Sequence, residues 1–307
     1  MFVRYNMKKT LILDSNNLLY RIFFMNRARG TDVNTLLVFL RCVRSYVDML
    51  DGVDQLIAVW DSRLQRGQPN FRRLAKEADY KGNRDHEGLE EAHALDEQIQ
   101  KSIQALGGIN MFPNRMEADD VIAWLTHNIQ DQQITIVTVD QDMYQLINEN
   151  VNVYSPIKKI TVNNSNFESV TGVSKHQFLQ YKALIGDKSD NIPGVPRVGK
   201  KTAIKILKTG IEETLSSEHI KIYENNMKLM DLSYGYNVHE HETEKYQEQF
   251  ECINSTKKDI KLLKSICIHN AVYNISNDID NWFKPFKKQE NNVPNVVNLI
   301  NTLNINK

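Results

Sequence analysis

Apolar runs that end in an acidic residue recur along the first half of the chain. Three of them have the length and composition of short buried strands: residues 9–14 (KTLILD), 55–61 (QLIAVWD) and 134–140 (ITIVTVD). Helical spacing of apolar residues separates or follows them at residues 36–50, 87–106 and 115–130. Further short strands are predicted at residues 109–112 and 151–154. Strands that alternate with helices predict a mainly parallel sheet flanked by helices.

The residues at the ends of the predicted strands are the first candidates for a functional site. Asp14, Asp61 and Asp140 each close one of the three apolar runs. In a parallel sheet these positions meet at one edge, where such folds bind their ligands. We therefore expect the three carboxylates to converge.

Six more acids join this candidate site, which makes nine: Asp14, Asp61, Glu117, Asp119, Asp120, Asp140, Asp142, Asp187 and Asp190. Taken singly, each is equally well explained as a cap of a helix or turn. Two like charges about 4 Å apart repel by about 1 kcal/mol in water and about 4 kcal/mol at an effective dielectric of 20. Hard divalent cations relieve that repulsion, and oxygen-only ligands favour Mg²⁺ or Mn²⁺.

Charge is balanced overall but segregated locally. The chain has 38 basic and 38 acidic residues, and 41% of its residues are hydrophobic, enough for a sizeable core. One basic cluster comprises Arg63, Arg66, Arg72, Arg73, Lys76, Lys81 and Arg84. A second comprises Lys188, Arg197, Lys200, Lys201, Lys205 and Lys208. Clustered basic residues of this kind indicate contact with nucleic-acid phosphates, although a solvated basic loop is the alternative for the first cluster.

Cysteine usage and the N-terminus bear on location. Cys42, Cys252 and Cys267 lack zinc-ligand spacing, so they are expected to be free thiols. The first residues contain no apolar stretch long enough for a signal peptide or a membrane span, which favours a cytoplasmic protein.

Five runs resemble, in order and spacing, the motifs of 5′-3′ exonucleases and flap endonucleases: LILDSNN, AVWD, MEADDVIAWL, TVDQDMYQL and ALIGDKSDNIPGVPRVGKKTA. That family includes the N-terminal nuclease domain of bacterial DNA polymerase I and stand-alone phage enzymes. The resemblance covers roughly residues 8–235, and GDKSDNIPGVPRVGKKTA is its most specific part.

The resemblance implies a PIN-like α/β fold with a helical arch and a helix–hairpin–helix (H3TH) module. Residues 1–172 would form the nuclease core with the arch at 62–100, residues 173–235 the H3TH region, and residues 236–307 an extension of unclear role. Asp14, Asp61, Glu117 and Asp119 look like a first metal site with Asp120 adjacent. Asp140, Asp142, Asp187 and Asp190 look like a second, so two Mg²⁺ ions are expected, with Mn²⁺ able to substitute.

The two basic clusters acquire roles from the same resemblance. Lys81 and Arg84 would stabilise charge in the transition state, Tyr80 would stack on an unpaired base, and Arg72 and Arg73 would contact DNA. The hairpin would hold duplex DNA through six residues and would carry a K⁺ ion: Gly194, Arg197, Gly199, Lys200, Lys201 and Thr202.

The function expected is hydrolysis of DNA at 5′ flaps, nicks and free 5′ ends by two-metal-ion catalysis, in replication or repair. The chain would act as a monomer without membrane contact, alone or with replication proteins, in the host cytoplasm if it is phage-encoded. Two alternatives stay open at this point. One is removal of RNA primers from RNA–DNA hybrids by the same site, and the other is a DNA-junction binder without catalysis.

Overall fold

A six-stranded sheet forms the centre of the protein. The computed structural model describes residues 7–30, 33–61, 88–113, 116–233 and 240–287. The strands are β1 (Lys8–Asp14), β2 (Gln55–Val59), β3 (Ile109–Met111), β4 (Gln132–Val137), β5 (Val151–Ser155) and β6 (Ile160–Val162). Their order is β3-β2-β1-β4-β5-β6, and every pairing is parallel except that of β5 with β6. The mainly parallel sheet expected from the sequence is confirmed.

Helices cover both faces of this sheet. The first five are α1 (Ser15–Ala28), α2 (Thr35–Met49), α3 (Leu89–His93), α4 (Asp96–Ala105) and α5 (Ala118–Asn128). Since successive strand residues point to opposite faces, β1 contributes Ile12 to one core, which includes α5. Leu11 and Leu13 belong to the other core, formed with α1, α2 and α4.

The helix predicted over residues 87–106 is divided in two. α3 ends at His93 and α4 begins at Asp96. Asp96 is 2% exposed, and its Oδ2 lies 3.0 Å from His93 Nδ1. A buried acid at the first position of α4 also lies where the helix dipole favours it, so a new helix starts here.

A second, mostly helical region follows the sheet. Its elements are α6 (Phe167–Thr171), α7 (Phe178–Ile185), β7 (Gly186–Asp187), β8 (Ile192–Pro193), α8 (Lys200–Thr209), α9 (Ile211–Thr214) and α10 (Ser217–Met230). Strands β7 and β8 pair antiparallel as a short hairpin between α7 and α8. Short 3₁₀ helices lie at Asp142–Leu146, Lys175–Gln177 and Cys252–Ser255.

The chain beyond residue 235 has weak apolar periodicity, yet it folds against the core. Its helices are α11 (Glu240–Glu251), α12 (Ile260–His269), α13 (Tyr273–Ser276), α14 (Ile279–Trp282) and α15 (Lys284–Lys287). α12 packs on α4 and α15 packs on α2. Residues 288–307, the last part of the extension of unclear role, lie outside the described residues. Among the helices that the structure describes, none has the length and hydropathy needed to cross a membrane.

Candidate metal centre and DNA-contacting surface

The carboxyl ends of the central parallel strands bring three of the predicted acids together. In the sheet register Asp14 pairs with Val59 of β2, and Leu13 pairs with Val137 of β4. Asp61 and Asp140 follow those two strands within three residues. Both are close enough to Asp14 for their charges to raise the pKa of its carboxyl.

Asp14 is the most perturbed acid at this edge. It is 5% exposed, and Thr138 Oγ1 donates a hydrogen bond of 2.6 Å to its Oδ2. Burial, reinforced by the charges of Asp61 and Asp140, raises the pKa of Asp14 to about 7 despite the Thr138 hydrogen bond. A group of acids whose mutual repulsion suppresses ionisation is a favourable place for a cation.

Two asparagines at the start of α1 hold the acidic loops in place, and sequence reasoning did not single them out. Asn16 Oδ1 accepts a hydrogen bond of 2.6 Å from the backbone N–H of Asp61. Asn17 Oδ1 accepts one of 3.3 Å from the backbone N–H of Val139, next to Asp140. Only the adjacency of both asparagines to Asp14 in DSNN signalled their role.

The acids around the start of α5 also act as helix caps. Asp120 Oδ2 accepts from the backbone N–H of Glu117 at 3.0 Å, and the two residues form a reciprocal capping box. Asp61 Oδ1 accepts from the backbone N–H of Ala118 at 3.2 Å. Glu117 and Asp120 are buried, whereas Asp119 is partly exposed. The capping interpretation therefore holds for three of these acids, and it fixes Asp61 beside the α5 N-terminus.

Asp142 and Asp187 meet at a lysine that the sequence analysis overlooked. Lys182 Nζ, on α7, lies 2.8 Å from Asp142 Oδ1 and 2.6 Å from Asp187 Oδ2. Asp140 is joined to this group because its Oδ1 accepts from the backbone N–H of Asp142 at 2.8 Å. The β7–β8 hairpin also places Asp190 here, with its backbone N–H 3.4 Å from Asp187 Oδ1.

The pKa values of Asp142, Asp187 and Lys182 are shifted in different directions relative to burial. Burial and the charge of Asp140 raise the pKa of Asp142 to about 7, against the opposing effect of Lys182. Burial also disfavours the charge on Asp187, but hydrogen bonds from Lys182 and Ser189 lower its pKa below the usual value. Burial would lower the pKa of Lys182, yet the two carboxylates outweigh it and raise that pKa. The lysine thus supplies the positive charge that this cluster needs.

The donor set fits a hard divalent cation. In the part of the chain that the structure describes, no group of three or more Asp, Glu, His or Cys side chains is arranged as a ready-made metal cage. Mg²⁺ commonly binds through one or two carboxylates and keeps several waters, so it needs no such cage. The oxygen-only chemistry and the repulsion at Asp14 suit it better than zinc, which prefers nitrogen and sulfur ligands.

The hairpin after α7 presents an exposed basic edge. Gly186 has φ +75°, and a Cβ on it would clash with the backbone of Ile192 and Gly194, whereas a Cβ on Gly194 would clash with the backbone at the end of α7. The absence of a side chain at Gly194 therefore serves the packing of the hairpin itself. Gly199, in contrast, faces open space at the start of α8. The basic and hydroxyl residues around it are all exposed: Arg197, Lys200, Lys201, Thr202, Lys205 and Lys208.

The arch residues predicted to act on the substrate fall in residues 62–87, outside the described parts of the chain. They are Arg72, Arg73, Tyr80, Lys81 and Arg84. Their roles therefore stay predictions.

Comparison with protein-family models identifies the family of this chain. Residues 9–172 match the family model "5′-3′ exonuclease, N-terminal resolvase-like domain", and residues 173–262 match "5′-3′ exonuclease, C-terminal SAM fold". The chain belongs to the 5′-3′ exonuclease family. The predicted combination of a PIN-like core with an H3TH region is confirmed by these matches.

Individual relatives agree with this placement. A 5′-3′ exonuclease of Buchnera aphidicola is 31% identical over 238 residues, which cover 74% of this chain and 77% of that protein. One from Aquifex aeolicus is 32% identical and covers 66% of this chain and 70% of its own length. The thermostable DNA polymerase I of Thermus thermophilus is 32% identical over 208 residues, but the match spans only 24% of that polymerase.

Solved structures share the fold. The bacteriophage T5 5′-exonuclease bound to zinc ions has a TM-score of 0.64 at 21% identity, covering 81% of this chain and 99% of its own. The T5 flap endonuclease in a complex with DNA and metal ions has a TM-score of 0.63 at 21% identity, covering 80% and 100%. At that identity the likeness is one of architecture.

The raised carboxyl pKa values predict how the stability of the metal-free protein depends on pH. The pKa of Asp14 and of Asp142 in the folded protein is about 7, well above that of an Asp side chain in the unfolded chain. The folded protein therefore retains protons that the unfolded chain has released, and its stability falls as pH rises towards 7. We expect the free energy of unfolding in EDTA to fall by on the order of 3 kcal/mol between about pH 5 and about pH 8. The lowered pKa of Asp187 acts only in more acidic solution, outside this interval.

Urea unfolding at each pH measures this effect. Asp14→Asn should flatten part of the pH dependence, and saturating Mg²⁺ should flatten it in the unsubstituted protein, because the cation favours the charged carboxylates. Stability that rises between these pH values in EDTA would contradict the assigned electrostatics.

Proposed function

We propose that this protein is a Mg²⁺-dependent, structure-selective 5′-3′ exonuclease and 5′-flap endonuclease. The observation that carries the proposal is the convergence of Asp14, Asp61 and Asp140 at the sheet edge, beside the cluster of Asp142 and Asp187. Family membership supports phosphodiester hydrolysis as the reaction. The T5 relatives of the same fold are described as bound to divalent metal ions and, in one case, DNA.

The acids divide into two neighbouring groups that would hold two ions. Asp14, Asp61, Glu117 and Asp119 would bind the first ion, with Asp120 supporting Glu117 through the capping box. Asp140, Asp142, Asp187 and Asp190 would bind the second. Bound Mg²⁺ supplies activation of the attacking water and stabilisation of the leaving oxygen. Mn²⁺ would substitute because it accepts the same oxygen ligands.

Lys182 has a defined part in this proposal. Its ammonium already offsets the charge of Asp142 and Asp187. It lowers the pKa of both carboxylates and orients them, and its long side chain would be free to reach a substrate phosphate if a bound cation took over that neutralisation.

Duplex DNA would bind at the start of α8. No side chain caps its first backbone N–H groups, the space beside Gly199 is open, and Lys200 and Lys201 lie in the first turn, which contains no acid. A helix N-terminus with adjacent lysines suits a backbone phosphate. Arg197 and Thr202 would add contacts, Gly194 would shape the hairpin, and a K⁺ ion in the hairpin would complete the phosphate site.

The decisive experiment is cleavage of a 5′-labelled flap substrate with Mg²⁺ and with EDTA. Product is expected only with the metal, near the junction of single strand and duplex. A protein that binds the flap but yields no metal-dependent product would instead be a DNA-junction binder without catalysis. Parallel RNA and DNA 5′ flaps test the other alternative, removal of RNA from RNA–DNA hybrids, because the described site contains no feature that selects for or against a 2′-hydroxyl.

The salt dependence of duplex affinity tests the proposed contact between the hairpin lysines and DNA phosphates. Lys201→Ala should weaken binding to a duplex by roughly fivefold and reduce the slope of log affinity against log salt by about one, because one phosphate contact is lost. Fluorescence anisotropy in Ca²⁺ at several salt concentrations measures both quantities. Lys228→Ala, which removes an exposed lysine of α10 away from the hairpin, is the matched control. An unchanged slope would remove Lys201 from the DNA-contacting surface.

The setting of the activity follows from the same proposal. The protein would act as a monomer on 5′ flaps, nicks and free 5′ ends in replication or repair, with replication proteins as candidate partners. It would work in the cytoplasm, which would be that of the host if the chain is phage-encoded.

A further inference from the structure

A chain of hydrogen bonds links a buried acid of α4 to the acidic edge of the sheet. Asp96 Oδ2 lies 3.0 Å from His93 Nδ1, and His93 Nε2 lies 3.1 Å from the hydroxyl of Tyr20. Asn16 Nδ2 donates to that hydroxyl at 3.1 Å, and Asn16 Oδ1 accepts from the backbone N–H of Asp61 at 2.6 Å. Four hydrogen bonds thus connect α3 and α4, through α1, to Asp61.

Donor and acceptor chemistry gives this chain a single direction. The amide N–H of Asp61 can only donate, so Asn16 must present its oxygen to it and its NH₂ group to Tyr20. The carboxylate of Asp96 accepts from Nδ1 of His93, and in the neutral tautomer with that proton Nε2 presents its lone pair to the hydroxyl proton of Tyr20. Every group then donates to the next, from Asp61 to Asp96. Hydrogen bonds aligned in this way polarise and strengthen one another.

Two members of this hydrogen-bond chain, Asn16 and Asp96, are shielded from water, whereas Tyr20 and His93 are partly exposed and Asp61 is exposed. Asn16 is 3% exposed and Asp96 is 2% exposed. The Tyr20 and His93 rings also pack edge to face, with their centroids 5.5 Å apart. Breaking the link at Asn16 or at Asp96 therefore removes a hydrogen bond from a buried polar group, and the neighbouring groups must shift to compensate for it.

We propose that His93 and Tyr20 are positioning residues that set the orientation of Asp61 for cation binding. This inference rests on the proposed metal-dependent nuclease function. Two of the hydrogen bonds that position Asp61 run from its backbone N–H to Asn16 at 2.6 Å and from the backbone N–H of Ala118 to its carboxylate at 3.2 Å. The shorter backbone hydrogen bond fixes the main chain from which the carboxylate projects. His93 and Tyr20 keep Asn16 in the rotamer and amide orientation that this anchor requires.

Tyr20→Phe breaks the chain at its centre with the loss of one oxygen atom. We expect kcat for flap cleavage to fall about 5- to 10-fold, because the hydroxyl makes two partly buried hydrogen bonds, with Asn16 and with His93. The KM for DNA should stay the same, because neither residue belongs to the proposed DNA-contacting surface. Calorimetric titration of the DNA-free protein with Mg²⁺ should show an affinity loss on the order of tenfold, as for residues that orient metal ligands.

Single and double variants are compared to distinguish a serial chain of hydrogen bonds, called here the relay, from independent packing effects. His93→Gln alone, Tyr20→Phe alone and the two together should lower Mg²⁺ affinity by the same factor, because a serial chain is broken only once. Tyr154→Phe, which removes a hydroxyl from β5 of the same sheet outside the chain, is the matched control and should leave the Mg²⁺ affinity unchanged. Thermal unfolding of each variant verifies that it is folded.

The outcomes distinguish this inference from the nuclease proposal. Losses that multiply in the double variant, or an Mg²⁺ affinity that neither substitution changes, would overturn the relay. A wild-type protein that binds Mg²⁺ but leaves the flap intact would overturn the nuclease proposal alone, and the calorimetry would still decide the relay. A wild-type protein that binds no Mg²⁺ would overturn both.

Discussion

Asp140→Asn is expected to lower kcat for flap cleavage by on the order of 10³-fold and to leave duplex affinity within about twofold of the wild type. The substitution removes a charge without removing the local fold. Asp140 Oδ1 accepts from the backbone N–H of Asp142 at 2.8 Å, and the amide oxygen of Asn can accept the same hydrogen bond. Loss of activity would therefore report the missing charge in the cation site.

Single-turnover cleavage and anisotropy in Ca²⁺ measure the two quantities separately. Asp131→Asn is the control, since Asp131 is an exposed acid just before β4, at the opposite end of the strand that leads to Asp140. Its left-handed backbone, with φ +57°, also tolerates Asn. An Asp140→Asn protein that cuts at the wild-type rate would show that the sheet edge is not the catalytic centre. Asp187→Asn should behave as Asp140→Asn does.

Lys182→Met is expected to destabilise the metal-free protein by about 3 kcal/mol near neutral pH, because two buried carboxylates lose their shared counter-ion. The lysine side chain is 14% exposed, and its Nζ contacts both Asp142 and Asp187. Mg²⁺ should restore much of that stability, since a cation between the same carboxylates replaces the missing charge. The increase in Tm on adding Mg²⁺ should accordingly be larger in the variant than in the wild type.

Chemical denaturation in EDTA and in Mg²⁺ tests this expectation. Lys228→Met removes an equally long cation from the exposed face of α10 and should change neither stability nor the response to Mg²⁺. Equal stabilisation of the wild type and Lys182→Met by Mg²⁺ would mean that the ion does not bind beside Asp142 and Asp187. In that case the second metal site would have to be withdrawn.

The strand-terminal acids could be located from the sequence because two simple patterns coincide there. An apolar run marks a buried parallel strand, and parallel strands end at one edge of the sheet. Asp14, Asp61 and Asp140 therefore needed no knowledge of loop geometry to be placed together. Glu117 and Asp120 stand three residues apart, a spacing that places them on one face of a helix but does not separate capping from cation binding.

Lys182 could not be predicted as a site residue because its neighbours in the sequence are apolar. It lies in FLQYKALI, which reads as a core helix with one solvated lysine. Its contacts with Asp142 and Asp187 depend on how α7 packs beside the loop after β4, and no local pattern encodes that packing. The Asp96–His93–Tyr20–Asn16 chain was missed for a similar reason, since three helices contribute to it.

The last described helices could not be predicted from local sequence patterns either. α13, α14 and α15 have four residues each, too few for helical periodicity to emerge. Their burial is a tertiary effect, and it places Trp282, Phe283 and Phe286 in the same core as Leu11 and Leu40.

This return of the chain to its beginning has a consequence for biosynthesis. The layer built by α1 and α2 is synthesised before residues 260–287, which complete the cover over its apolar surface. A nascent chain that has already completed its sheet therefore keeps part of that layer uncovered until residues 260–287 have been synthesised. Stalled or prematurely terminated chains would expose an aromatic-binding surface on α2, which makes them natural clients for chaperones and early targets for proteolysis.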